Sequence, residues 1–160
     1  MAFTALPATP TISSFTPTSK QVGLLSAGSY VTVTGTSFYN PDGTTAVSDV
    51  RIGGVSIGTQ GTDYTVTPTA ITIKKIPSGA FSAPIVVATS GGTATSAAVF
   101  TVLPPTPTLS ATITPAHAPV GSKVRLTGTY FTQVTQVTFG SSLADFTVDG
   151  ATQITATIPA

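Results

Sequence analysis

Val31-Thr32-Val33-Thr34-Gly35-Thr36-Ser37-Phe38 occurs twice in this chain, the second time as Val124-Arg125-Leu126-Thr127-Gly128-Thr129-Tyr130-Phe131. Apolar and polar residues alternate in each copy. That period predicts a β-strand with Val31 and Val33, or Val124 and Leu126, on one face. A glycine interrupts the alternation at the same place in both, and an aromatic ring follows three residues later. Glycine within a strand marks a bulge or a bend, so each strand is expected to kink and drop its Phe into a core. If Gly35 and Gly128 hold a positive φ, they should resist replacement by Val or Ile.

The likeness extends outward in both directions. Pro107-Thr108-Leu109-Ser110 echoes Pro10-Thr11-Ile12-Ser13, Thr114-Pro115 echoes Thr16-Pro17, and Val120-Gly121 echoes Val22-Gly23. Downstream, Val137-Thr138-Phe139-Gly140 matches Val50-Arg51-Ile52-Gly53, and Asp145-Phe146-Thr147-Val148 matches Asp63-Tyr64-Thr65-Val66. Ile154-Thr155-Ala156-Thr157-Ile158-Pro159 matches residues 71–77, where the first copy is one residue longer at Lys74-Lys75. Matches in one order over the whole second half make an internal repeat. Lys74-Lys75 reads as a bulge with both lysines exposed.

Each unit is a run of short strands punctuated by Gly and Pro, with no sustained helical period. This predicts an all-β chain of tandem immunoglobulin-like antiparallel β-sandwiches. The expected boundaries are an arm at residues 1–9, a first sandwich at 10–102, a proline-rich linker at 103–107 and a second, incomplete sandwich at 108–160. Nothing after Ala160 corresponds to residues 78–102 of the first copy.

The composition narrows the chemistry. Of 160 residues 41% are hydrophobic, enough for a core, and only 7% are charged, so Thr and Ser must carry the outer faces. A net charge of +1 provides no field for nucleic acid or an anionic membrane. No window approaches the ~18 apolar residues of a membrane span. The start, Met1-Ala2-Phe3-Thr4-Ala5-Leu6-Pro7, lacks the basic residues and apolar run of a secretory signal, so on this reading the chain is made in a cytoplasm and not sent through the general export route; a chain whose signal had been removed would read the same.

The motifs Ile12-x-x-Phe15-x-Pro17, Val22-Gly23, Val31-Thr32-Val33-Thr34-Gly35-x-x-Phe38 and Val50-x-Ile52-Gly53-Gly54 resemble those of the IPT/TIG family of immunoglobulin-like domains. Ser90-Gly91-Gly92-Thr93-Ala94-Thr95-Ser96 with Phe100-Thr101-Val102 fits the same pattern, as do Gly128-Thr129-Tyr130-Phe131 and residues 152–159 in the second copy. The resemblance covers nearly everything after Thr9 and implies a fold more than a function. Such domains occur in cell-surface receptors, in transcription factors beside a separate DNA-binding domain, in bacterial surface and carbohydrate-active proteins, and in phage structural proteins.

Little here suggests catalysis. The chain has five Asp, no Glu, no Cys and a single His, His117, in the turn Pro115-Ala116-His117-Ala118-Pro119. No motif brings a partner to it, so no catalytic residue, metal ligand or cofactor is assigned and an enzyme is not expected. Asp42, Asp49 and Asp63 lack the clustered spacing of a calcium site and read as turn caps. Lys20, Arg51, Lys74, Lys75, Lys123 and Arg125 read as solvated strand positions that discourage edge pairing. Tyr30, Tyr39, Tyr64 and Tyr130 could stack on sugars. Tyr39 is the best placed, beside the turn Asn40-Pro41-Asp42-Gly43, and residues 39–43 form the candidate binding loop. The other three read as packing residues.

A second candidate site follows from the truncation. Ile154, Ala156 and Ile158 should face a core whose closing strands are missing, leaving an apolar cleft and an open edge for strand completion. The arm of a neighbouring copy, with Phe3 and Leu6 as anchors, or a partner protein would fill it. A longer natural protein, or a smaller sheet that tolerates its edge, are the alternatives. The leading functional expectation is a non-enzymatic structural or interaction protein of a phage virion, a capsid decoration or tail-associated component that binds copies of itself or another virion protein. The alternative is part of an exported bacterial surface adhesion or carbohydrate-binding protein, cell-surface or extracellular, with a glycan as partner.

Overall fold

Alternating branched apolar and hydroxyl residues give an all-β chain across the described residues, 7–160, of this computed structural model. The expected arm anchors Phe3 and Leu6 lie outside the described residues. The chain divides into two units, Met1–Pro104 and Pro105–Ala160.

The first unit contains β1 (Thr11–Thr16), β2 (Ser19–Gln21), β3 (Gly23–Leu24), β4 (Val31–Thr36), β5 (Val47–Ile52), β6 (Val55–Ser56), β7 (Tyr64–Val66), β8 (Ala70–Ile73), β9 (Lys75–Ile76), β10 (Ala83–Thr89) and β11 (Gly92–Leu103). One sheet has the order β1-β4-β8-β7 and the other β2-β11-β10-β5-β6, with β3-β9 as a small third ladder. Inward residues of both sheets make one core: Val31 and Val33 from β4, Ile71 and Ile73 from β8, Val50 and Ile52 from β5, Ile85 and Val87 from β10, and Phe100 from β11. Phe15 meets Phe100 edge-on, with ring centroids 6.0 Å apart.

Two details depart from a plain antiparallel sandwich. After Pro17 the chain leaves β4 and β2 joins the opposite sheet parallel to β11, pairing Ser19 with Thr101. Lys74-Lys75 is a strand break rather than a bulge: β8 pairs with β4, whereas β9 pairs with β3. The two lysines are half-buried, not exposed. Lys74 Nζ donates to Gly61 O at 3.3 Å and Lys75 Nζ lies 3.5 Å from Asp63 Oδ1, so both stems lie back over the loop before β7.

The second unit contains β12 (Thr108–Thr114), β13 (Lys123–Thr129), β14 (Thr138–Phe139), β15 (Ser142–Leu143), β16 (Phe146–Gly150) and β17 (Gln153–Thr157), with one 3-10 turn at Phe131–Gln133. Its four-stranded sheet, β12-β13-β17-β16, repeats the order of the first unit's β1-β4-β8-β7. The hairpin β14-β15 stands where the first unit has β5-β6. A hydroxyl pair recurs as well, Thr11 with Thr36 at 2.7 Å and Thr108 with Thr129 at 2.6 Å. A cis peptide precedes the equivalent prolines Pro17 and Pro115.

Gly35 and Gly128 earn their place by a close approach, not by the positive φ expected of them. A methyl group on Gly35 would run into the Thr11 carbonyl oxygen and stand 2.6 Å from Phe38 Cζ. On Gly128 it would meet the Thr108 carbonyl and the Phe131 ring in the same way. The left-handed residue comes two positions later, Ser37 at φ 61° and Tyr130 at φ 60°. That turn tucks the next ring under the glycine, and Phe38 is fully buried while Phe131 is 4% exposed.

Ser96 is the buried polar side chain of the first core. Where the β10-β11 register slips between Pro84 and Val86, its hydroxyl accepts from the Ile85 amide at 2.9 Å and donates to Ala98 O at 2.7 Å. Replacing it leaves the Ile85 N–H without a partner in a dry core.

Stability changes are expected at four positions in thermal or urea unfolding. Phe38→Ala costs about 3–5 kcal/mol. Gly35→Ala and Gly128→Ala each cost more than about 2 kcal/mol, because backbone must move to admit the methyl. Ser96→Ala costs about 1–3 kcal/mol, and Ser96→Thr less if its hydroxyl keeps both bonds.

Candidate functional site

The turn after Phe38 is built from its own polar groups. Tyr39 bridges to Thr45, the Asn40 amide donates to Thr44 O at 2.8 Å and the Gly43 amide returns to Asn40 O at 3.0 Å. Gly43 sits at φ 81°, which an L side chain rarely adopts. Asp42 Oδ1 accepts from the Thr44 amide at 2.9 Å and from its hydroxyl at 2.6 Å. Asn40 uses both ends of its amide: Nδ2 donates to Thr44 Oγ1 and Thr45 O, and Oδ1 accepts from Ser90 Oγ at 2.8 Å. Tyr39 is half-buried, its hydroxyl donating to Val66 O at 3.3 Å. The loop is therefore rigid, with Pro41, Asp42 and Gly43 exposed at its tip.

The other tyrosines divide. Tyr64 is in the core and Tyr30 is half-buried, whereas Tyr130, expected to pack, is 54% exposed because its left-handed backbone turns the ring outward. His117 is exposed in a bend. Among the described residues no three His, Cys, Asp or Glu side chains come together.

Four carboxylates are drawn below their ordinary value of 3.8. Bonds from Thr44 lower Asp42, the Thr59 amide and then Lys75 lower Asp63, and Thr155 with Gln153 lower Asp149. For Asp49, burial pushes upward, but bonds from Ser56 and Arg51 outweigh it. Each anion holds its own turn or strand pair, which is a structural use of charge.

The second unit carries a different feature, an open groove of about 410 Å³. Leu126, Phe131 and Ile154 form its floor, Leu109 and Ile113 one wall, and Val137 and Phe139 the other. It exists because no strands equivalent to β10 and β11 cover this face among the described residues. In the first unit Val50 and Ile52 are fully buried, with β10 paired alongside β5; their counterparts Val137 and Phe139 are half-buried. Leu109 is 57% exposed, against a half-buried Ile12.

Of the residues expected at a completion edge, only Ile154 lines this groove. Ala156 is fully buried and Ile158 half-buried, both outside the lining. Nor is β17 an edge, since β13 and β16 pair along both of its sides. Among the described residues the unpaired edges of this unit are those of β12 and β16, at the two ends of the sheet, and of the β14-β15 hairpin, of which β14 lines the groove. Sequence reasoning missed Val137 and Phe139 as site residues, although their match to Val50 and Ile52 was the available signal.

The pattern of the IPT/TIG domain family matches residues 107–160. Over that stretch the chain is similar to IPT/TIG domains. No curated protein sequence matches the chain significantly. Among solved structures, the surface glycan-binding protein PbSGBP-B from Prevotella bryantii aligns with 97% of this chain at 18% identity and a TM-score of 0.50. The SGBP-B protein of a xyloglucan utilisation locus in Bacteroides uniformis aligns with 94% at 21% identity and a TM-score of 0.42. The extracellular region of plexin A4 aligns with 98% at 19% identity and 0.43. The chain covers 37%, 42% and 14% of these three proteins respectively. At these identities the likeness is one of fold. No helix among the described residues is long and apolar enough to cross a membrane.

The carboxylates make a pH prediction. A lowered folded pKa stabilises the fold above the unfolded value and loses that contribution as pH falls through the folded value. The midpoint of thermal unfolding should hold steady from neutral pH down to about 5 and fall below 3.8, most steeply where the four depressed groups protonate. Asp149→Asn should blunt the acid decline of the IPT/TIG unit, followed by circular dichroism.

Proposed function

We propose that this chain is a non-catalytic segment of a bacterial surface protein that handles glycans. The observation that carries the reading is the alignment of both units, in succession, with the Prevotella bryantii surface glycan-binding protein over 97% of this chain. Glycan contact and surface location are what the proposal adds to that likeness of fold. The virion reading, capsid or tail, has no comparable support.

The first unit's loop at residues 39–43 is the proposed contact. Its hydrogen bonds fix Tyr39 and the Pro41-Asp42-Gly43 tip before any ligand arrives, so little ordering entropy is lost on binding. The half-buried Tyr39 ring and the surrounding Thr and Ser hydroxyls supply an apolar contact and polar partners of the kind a sugar ring needs.

Affinity electrophoresis and calorimetry against xyloglucan oligosaccharides and a wider glycan array test this directly. Binding is expected to weaken about tenfold or more in Tyr39→Ala, with the thermal midpoint of the IPT/TIG unit unchanged. Binding to no glycan, or binding indifferent to Tyr39, would remove the loop as the contact.

A further inference from the structure

Building on the glycan reading, we propose that a bound saccharide continues from the 39–43 loop across the outer face of the first unit's five-stranded sheet. There Asp49 and Arg51 together take the neighbouring hydroxyls of an uncharged sugar unit.

The alternation that fills the core also builds this face. Val50 and Ile52 of β5, Ile85 and Val87 of β10 and Ala94 of β11 are buried, so the residues between them point outward. Strand pairing sets the outward residues in two rows. Asp49 stands opposite Ala88, and Ala88 opposite Thr93; Arg51 stands opposite Val86, and Val86 opposite Thr95. The short side chains of Val86 and Ala88 keep the middle strand low between the charged pair on β5 and the threonines on β11. The result is an open depression of about 430 Å³ lined by Ser48, Asp49, Arg51, Val86, Ala88 and Thr93.

Its charged wall is assembled before a ligand arrives. Asp49 Oδ2 accepts from Arg51 Nε at 2.5 Å, and Asp49 Oδ1 accepts from Ser56 Oγ at 2.6 Å. Among the described residues Arg51 makes no other hydrogen bond, and its side chain is 55% exposed, so the remaining guanidinium N–H groups are left to donate. The Asp49 oxygens keep further acceptor capacity. Donors and acceptors thus stand side by side while their charges cancel. A carboxylate or an ammonium group would meet one attractive and one repulsive charge at similar distance. A hydroxyl both donates and accepts, so two adjacent sugar hydroxyls satisfy guanidinium and carboxylate together. The C–H face of the ring then lies on Val86 and Ala88.

The depression lies at the same end of the sheet as the loop. Asn40 Oδ1 accepts from Ser90 Oγ, and the Ser90 amide donates to Ala46 O at 3.0 Å, which ties the loop to the turn between β10 and β11. Ala88 is two residues from Ser90, about 7 Å along an extended strand. A linear saccharide held at Tyr39 therefore has this face within reach of its following units.

Calorimetry with the full chain tests the site, using xyloglucan oligosaccharides of increasing length and oligogalacturonides as the acidic comparison. Arg51→Lys keeps the charge and loses the planar fork, and Ala88→Leu raises the floor while leaving the ion pair intact. Both should weaken the longer neutral oligosaccharides about tenfold, spare the shortest, and leave the thermal midpoint in place. Tyr39→Ala should weaken every length. Added salt should leave these affinities unchanged, because the paired charges present no net charge to screen. If Tyr39→Ala weakens binding while Arg51→Lys and Ala88→Leu do not, the glycan reading stands and the outer-face site is wrong. Preference for oligogalacturonides, or affinity that falls with salt, overturns the uncharged ligand. No binding of either class by the unaltered chain removes this site, and binding to no glycan of the wider array removes the reading it rests on.

Discussion

In both units a backbone carbonyl oxygen occupies the space where a side chain would begin. Thr11 O lies against Gly35 and Thr108 O against Gly128, with a Phe ring closing the same spot from the other side. Everything near the first strand of each unit follows from this approach. It lets β1 lie tight on β4, and β12 on β13, and it leaves room for Phe38 or Phe131 under the bend. The left-handed Ser37 or Tyr130 then reverses the chain so that the ring arrives from below. Any side chain at the glycine would push apart two strands whose hydrogen bonds and buried faces hold the sheet together.

The same local solution is used twice, with different cover. In the first unit the four-stranded sheet faces a five-stranded one, and Val50, Ile52, Ile85, Val87 and Phe100 are all dry. In the IPT/TIG unit the equivalent sheet faces a two-stranded hairpin, and the groove is the space the larger sheet would fill. Covering hydrophobic surface of this kind is worth about 25 cal/mol per Å². The polar features of the molecule point elsewhere. Four of its five carboxylates are held by nearby donors in turns and strand pairs, and the Asn40 and Asp42 bonds tie the 39–43 loop together.

Much of the fold was legible in the sequence. The strand alternation, the repeat and the Gly-x-x-Phe spacing are local signals, and local signals survive without knowing the partner strand. The reason for the glycine was not legible, because the atom that excludes a side chain there belongs to a strand distant in sequence. The Lys74-Lys75 step was misread for a related cause. A change of strand partner looks in sequence like a bulge, and the tethering of both lysines depends on Gly61 and Asp63.

For the candidate sites the division is sharper. The sequence by itself determined that the inward positions of the second copy are apolar and that a Pro-Asp-Gly turn follows Tyr39. Only the tertiary structure decided which edge is left open. It places Ile154 in the groove lining, Ala156 in the same core outside that lining and Ile158 against that core past the end of β17, with β17 enclosed by β13 and β16. Strand pairing is set by contacts between segments far apart in the chain, so a list of inward residues identifies a face but not its edges.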